Sequence, residues 1–254
     1  MPGIIFMRKY WGAEMTDFAR LMNDYFVKYL IGQKGSGNNT LKTYRDTFVQ
    51  LLEFMDEKKQ IQADRIEVDN FSYDIINEFL EYLEKEKGVS ISTRNNRLAA
   101  IRSFFKYTGY HEPKYLNISS SIREISKKKA ENRQMNYLSI NAMEHFLNSF
   151  DTTDYKELRC FCIVLLLYES GARVTELCNV RRYDLHLEKP YTMILHGKGD
   201  KIRSVPLDGL VADVISNYIQ KYRVDDNDFL FFNTRRERLT REGVNYIVHK
   251  YFER

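Results

Sequence analysis

The stretch Ser170-Gly171-Ala172-Arg173-Val174-Thr175-Glu176-Leu177 decides how this chain is read. It follows the most apolar run in the sequence, Phe161 to Leu167, whose lack of a polar face predicts a helix buried on nearly all sides. Gly171 permits a turn that a residue with a Cβ resists. If a second helix opens after that turn, Arg173 and Glu176 lie three apart on one face. A carboxylate in that position fixes one side of the guanidinium fork and leaves another side free for an anion.

Downstream stands Leu195-His196-Gly197-Lys198-Gly199-Asp200-Lys201-Ile202-Arg203-Ser204-Val205-Pro206-Leu207. It predicts two short strands, Tyr191 to His196 and Lys201 to Val205, joined by a glycine-flanked turn with Lys198 at its tip. Taken singly, an arginine and a glutamate three apart are an ordinary surface pair, and a Gly-Lys-Gly turn is an ordinary hairpin. Together, in this order, the two segments resemble the first half of the active site of the tyrosine site-specific recombinases, the phage-type integrase family. That family's pattern is Gly-x-Arg-x-x-Glu-Leu followed by Gly-Lys-Gly-x-Lys-x-Arg-x-x-Pro-Leu, and both stand here unbroken.

The length of 254 residues gives room for two domains, and 43% apolar with 29% charged residues excludes a disordered chain. A net charge of +4 identifies no partner by itself; the placement of the basic residues matters more. The three cysteines, Cys160, Cys162 and Cys178, sit among apolar residues with no Cys-x-x-Cys pair. With no secretory leader pattern, they predict reduced core thiols in a cytoplasmic protein. No apolar run approaches the roughly 20 residues that a membrane-spanning helix needs. The histidines show no metal-ligand spacing, and His196 and His249 read as surface residues.

Residues 1–14 form an N-terminal extension without clear period, and Met15 is an alternative start. Residues 15–116 predict a small bundle of amphipathic helices. The first carries Phe18, Leu21, Met22, Tyr25, Phe26, Tyr29 and Leu30 behind Thr16 or Asp17 as cap; the second follows Thr40. The third runs near Ser72 to Lys87, and the fourth follows Ser92 and ends near Gly109. On the fourth, Arg94, Asn95, Arg97 and Arg102 lie off the apolar stripe, as a solvated face or as phosphate contacts. Its pattern is similar to the end of the family's core-binding, SAM-like domain of four to five helices, and Lys42, Thr43 and Tyr44 match that domain's T-x-x-x-Y segment. The resemblance implies that these residues touch double-stranded DNA.

Residues 117–136 read as a basic linker in which the hydrophobic period lapses. Arg123 to Arg133 holds five basic and two acidic side chains, so the segment carries much of the net charge. A connector of this kind is commonly just solvated; the resemblance implies that Lys127, Lys128 and Lys129 run along the duplex. Residues 137–254 predict a mostly helical domain with a small antiparallel sheet. Ser139 caps a helix with Met143, Phe146 and Leu147; Asp208 to Tyr222 is helical with Leu210, Val214, Ile215 and Tyr218 inward; Thr240 starts the last helix, with Val244, Ile247 and Val248. The resemblance makes this the first part of a recombinase catalytic domain.

In that family a tyrosine hydroxyl attacks a DNA phosphodiester, leaving a 3′-phosphotyrosyl bond and a free 5′-hydroxyl, and the step is reversed on the partner strand. Bond energy is retained, so no metal, ATP or other cofactor is implied. By resemblance Arg173 grips the phosphate, Glu176 orients it, and Lys198 protonates the leaving oxygen, with Lys201 as the fallback donor and Arg203 as a phosphate contact. The family's next motif, His-x-Leu-Arg-His, and the tyrosine beyond it do not occur before Arg254. Tyr246 and Tyr251 precede that motif's place, so neither is read as the nucleophile. The expectation is a chain that binds DNA without cleaving it, either an incomplete recombinase or a non-catalytic DNA-binding derivative. The complete protein is expected to work as a tetramer on two sites, and this chain to be a monomer without DNA.

Overall fold

The computed structural model describes residues 15–130, 137–197, 199 and 201–252. The N-terminal extension, the end of the expected linker and Lys198 therefore lie outside the described residues. The chain divides into two compact units, Met1–Gln134 and Met135–Arg254.

The first unit opens with α1 (Asp17–Asp24), capped where Thr16 Oγ1 accepts from Ala19 N at 3.2 Å. From Tyr25 to Gln33 the helix is π-helical, with Lys34 N donating to Tyr29 O and Ser36 N to Leu30 O, both at 2.8 Å. The sequence predicts a simple three-four period here. The wider winding brings Tyr25 and Leu30, five apart, into the same core, where an α-helix would set them about 140° apart.

Helix α2 (Asn38–Lys59) starts two residues ahead of the expected cap Thr40, with Gly37 before it and no side-chain cap. Helix α3 (Tyr73–Lys85) lies within the span expected near 72–87 and is capped by Ser72, and α4 (Ile91–His111) is capped by Ser90, where the sequence reading starts the helix after Ser92. Phe18, Tyr25 and Phe48 meet Phe104 edge-on at ring distances of 5.3 to 5.5 Å, so α4 is the central helix of the unit.

The expected linker begins instead with a helix, α5 (Leu116–Glu124). Its Ile122, together with Ile125 just beyond it, is buried in the first core. The serine run 119–121 masks this in the sequence, because Ser119 is buried by geometry and not by hydrophobicity. It lies against Gly109, where a Cβ would stand 2.7 Å from Ser119 Oγ. Gly109 is thus the seat on which α5 packs, inside α4 and not at its end.

The second unit contains α6 (Ile140–Asn148), capped by Ser139, and α7 (Tyr155–Ser170), whose cap Asp154 accepts from Lys156 N and Glu157 N at 2.8 Å. Helix α7 is not buried all round. Leu158, Cys162, Ile163 and Leu166 are buried, whereas Phe161 and Leu165 are half-buried and Tyr168 is exposed. A four-residue helix, α8 (Val174–Leu177), follows.

The sheet has the order β1 (Leu185–His186), β2 (Thr192–His196), β3 (Ile202–Pro206), antiparallel throughout, with Leu195 opposite Arg203. The sequence predicts the β2–β3 hairpin but not β1, which is too short to show alternation. Met193 and Leu195 of β2 pack under α7 and α9 (Gly209–Tyr222) in one core with Ile215 and Tyr218. Leu210, expected inward, is exposed at the first turn of α9, and Val211 takes the buried place. Helix α10 (Arg241–Phe252) starts at Thr240, whose Oγ1 accepts from Gly243 N at 3.0 Å.

Candidate functional site

Helix α7 ends at Gly171, whose φ of +57° is the left-handed turn anticipated from the sequence. That turn places Arg173 at the N-cap of α8 and Glu176 at its third position. Glu176 is the centre of the arrangement. Its Oε1 accepts from Arg173 Nη1 at 2.7 Å, and its Oε2 accepts from Arg173 N at 3.0 Å and from Arg203 Nη2 at 2.8 Å. The Glu176 side chain is 4% exposed, against 74% for Arg173 and 40% for Arg203. A buried carboxylate therefore ties two guanidiniums together from below, while most of the Arg173 fork stays open to solvent. The Arg203 hydrogen bond, aided by those from Arg173, holds the Glu176 carboxyl far below the usual range, at about 2.

Register brings Arg203 here: it stands on β3 opposite Leu195, at the base of the hairpin. Gly197 completes the contact. It donates to Lys201 O at 2.7 Å, and a Cβ on it would stand 3.2 Å from that oxygen and 3.3 Å from Glu176 Oε1. The first glycine of the Gly-Lys-Gly run is thus required by close approach, and the second, Gly199, by its φ of +74°. Lys201 is exposed beyond the strand, and Lys198 lies outside the described residues.

Beside this group, His196 Nε2 stands 3.2 Å from Oδ1 of the buried Asp184, whose Oδ2 accepts from Arg181 N at 2.8 Å. This contact ties the end of β2 to the turn before β1. Of the two contacts of Asp184, the one to Arg181 N is local, three residues back, whereas the one to His196 is made only through sheet pairing. Tyr246 is exposed on α10, and the Tyr251 ring packs 5.5 Å from that of Phe150. Among the described residues no three His, Cys, Asp or Glu side chains come together as a metal site, and no helix is long and apolar enough to cross a membrane.

In the first unit the candidate DNA contacts divide. Lys42 and Thr43 are exposed and Tyr44 is half-buried on α2. Arg97 Nη1 donates to Thr43 O at 2.9 Å and to Thr47 Oγ1 at 3.2 Å, bracing α4 against α2. Arg94 is a correction to the basic-face reading. It is 4% exposed, donates to Ser126 O at 3.1 Å and faces Glu84 Oε1 at 3.3 Å, so its guanidinium is enclosed by protein. Arg102 likewise donates to Ile125 O, and Asn95 holds the main chain of Lys128. Arg94, Asn95 and Arg102 sit off the apolar stripe because they bind the segment after α5. Lys127, Lys128 and Lys129 on that segment are exposed.

The phage integrase family pattern matches residues 136–254, and the pattern of the phage integrase N-terminal SAM-like domain matches residues 24–109. The chain belongs to the tyrosine recombinases of the phage integrase family, the class of site-specific DNA recombination. It is 31% identical over 229 residues to the tyrosine recombinase XerD of Listeria innocua, covering 87% of this chain and 73% of that protein. It is 26% identical over 238 residues to the tyrosine recombinase XerC of Staphylococcus aureus, covering 92% and 76%. Its fold resembles the XerH site-specific recombinase in a pre-cleavage complex with its difH substrate, with a TM-score of 0.64 at 19% identity over 99% of this chain and 79% of that one.

Proposed function

We propose that this chain grips a DNA phosphate with Arg173 as part of a site-specific breakage and rejoining reaction. The observation that carries the proposal is the Glu176 carboxylate, buried under two arginines, which orients Arg173 while leaving most of its fork open. A planar, permanently charged fork suits the non-bridging oxygens on which charge develops when a phosphodiester is attacked. Arg203 shares the same carboxylate and adds positive potential at the hairpin base. Lys198 is proposed as the proton donor to the leaving 5′-oxygen, with Lys201 as fallback.

The finer proposal concerns the polypeptide of residues 1–254. It holds no His-x-x-Arg run, and neither Tyr246 nor Tyr251 is assigned as nucleophile. This polypeptide alone is therefore proposed to bind duplex DNA and to form no phosphotyrosyl bond. Cytoplasmic action and a tetramer on two DNA sites belong to the proposal as well.

The test is retention on a DNA duplex at increasing salt, paired with a denaturing gel on nicked DNA. Tight binding at low salt, steeply lost as salt rises, is expected, with no protein-linked DNA band. Arg173→Ala should keep most of the binding and lower the salt slope by roughly one, the share of a single phosphate contact. Absence of binding at low salt overturns the DNA reading, and a band that survives denaturation overturns the non-cleaving one.

A further inference from the structure

The polar side of α4 is covered by the chain's own main chain. Asn95 Nδ2 donates to Lys128 O at 2.8 Å while its Oδ1 accepts from Lys128 N at 3.1 Å. A side-chain amide thereby satisfies both main-chain groups of one residue, as a neighbouring strand would. Arg94 holds Ser126 O and Arg102 holds Ile125 O, so the carbonyls of 125, 126 and 128 are all pinned to one helix. Glu84 completes the clamp from α3: its carboxylate lies 2.9 Å from Lys128 Nζ and 3.3 Å from Arg94 Nε.

The three consecutive lysines are not equivalent. Lys128 is drawn to Glu84, so its charge is matched within the protein. Lys127 and Lys129 are exposed and have no ion-pair partner among the described residues. Resting on the DNA-binding reading above, we propose that Asn95 is a positioning residue for DNA binding, clamping the main chain so that Lys127 and Lys129 stand as a preformed pair of phosphate contacts. A segment ordered before the duplex arrives does not have to be ordered on binding, which favours the complex without adding a contact. Asn95 itself then touches protein and not DNA.

The experiment combines amide hydrogen exchange of the free chain with salt-dependent binding to a mixed-sequence DNA duplex. The Lys128 amide should exchange slowly, and Asn95→Ala should release it while leaving the amides of the α4 core protected. The same variant should bind DNA up to about thirtyfold more weakly, the limit set by two net hydrogen bonds of typical strength, with the salt slope unchanged. The double variant Lys127→Ala/Lys129→Ala should instead lower the slope by roughly two, with Lys128 still protected.

A Lys128 amide that exchanges freely in the wild type overturns the clamp. Protection that survives Asn95→Ala while DNA binding falls overturns it too, since Asn95 would then be touching DNA directly. Unchanged slopes in the lysine double variant overturn the phosphate pair while the clamp stands. Loss of all duplex binding by the wild type is the separate failure of the DNA reading.

Discussion

Glu176→Gln tests the centre of the site. The substitution keeps shape and removes charge, leaving a neutral amide whose NH2 group faces one of two guanidiniums. A charge-assisted hydrogen bond within a protein contributes ~1.5–3 kcal/mol, but Arg173 and Arg203 are 74% and 40% exposed, so solvent screening discounts each. The expected loss for Glu176 is about 2 kcal/mol at neutral pH. Urea denaturation followed by circular dichroism measures it without adding ions, and the transition of the second unit should shift alone.

The pH dependence sharpens the test. Glu176 is held at about 2 in the folded chain, from an ordinary value of 4.5, so folding favours its ionised form. That contribution is complete above the unfolded value and is lost as the pH falls through 4.5 towards 2. The stability gap between wild type and Glu176→Gln should therefore be widest near neutrality and close over that window. Equal stabilities at neutral pH, or a gap that persists to pH 2, would refute the claim that the two arginines depend on this carboxylate.

Two further outcomes follow from packing. Gly197→Ala should destabilise the second unit by about 1 kcal/mol, because its Cβ meets Lys201 O at 3.2 Å and Glu176 Oε1 at 3.3 Å, both already hydrogen-bonded; urea denaturation checks this, and unchanged stability would contradict it. All three cysteines are buried and free, and burial pushes the Cys160 and Cys162 thiols up to about 12, so none should react with a chromogenic disulfide until denaturant is added; a fast-reacting thiol in the native chain would contradict the burial.

The sequence alone was enough for the elements with local signals. Ser72, Ser139, Asp208 and Thr240 stand at helix starts because a short polar side chain satisfies an N–H that the helix leaves open. The hairpin and the Arg173–Glu176 pair were legible for the same reason, since each lies within a few residues of chain. The family followed from two motifs whose order and spacing survive in the sequence without any coordinates.

What the tertiary structure decided was long-range. The helix of residues 116–124 was hidden because Ser119 is buried against Gly109, a fit of shapes that hydrophobic periodicity does not record. The polar residues of α4 could be read as a surface face, and only the fold of the segment after α5 onto them makes Arg94 and Asn95 holders of main chain. Arg203 could be assigned to phosphate by motif, but only the β2–β3 register carries it onto Glu176, 27 residues away in the chain. Local hydrogen-bonding rules act between neighbours and are written in the sequence; the partner of a buried charge is chosen by whatever the fold brings to it.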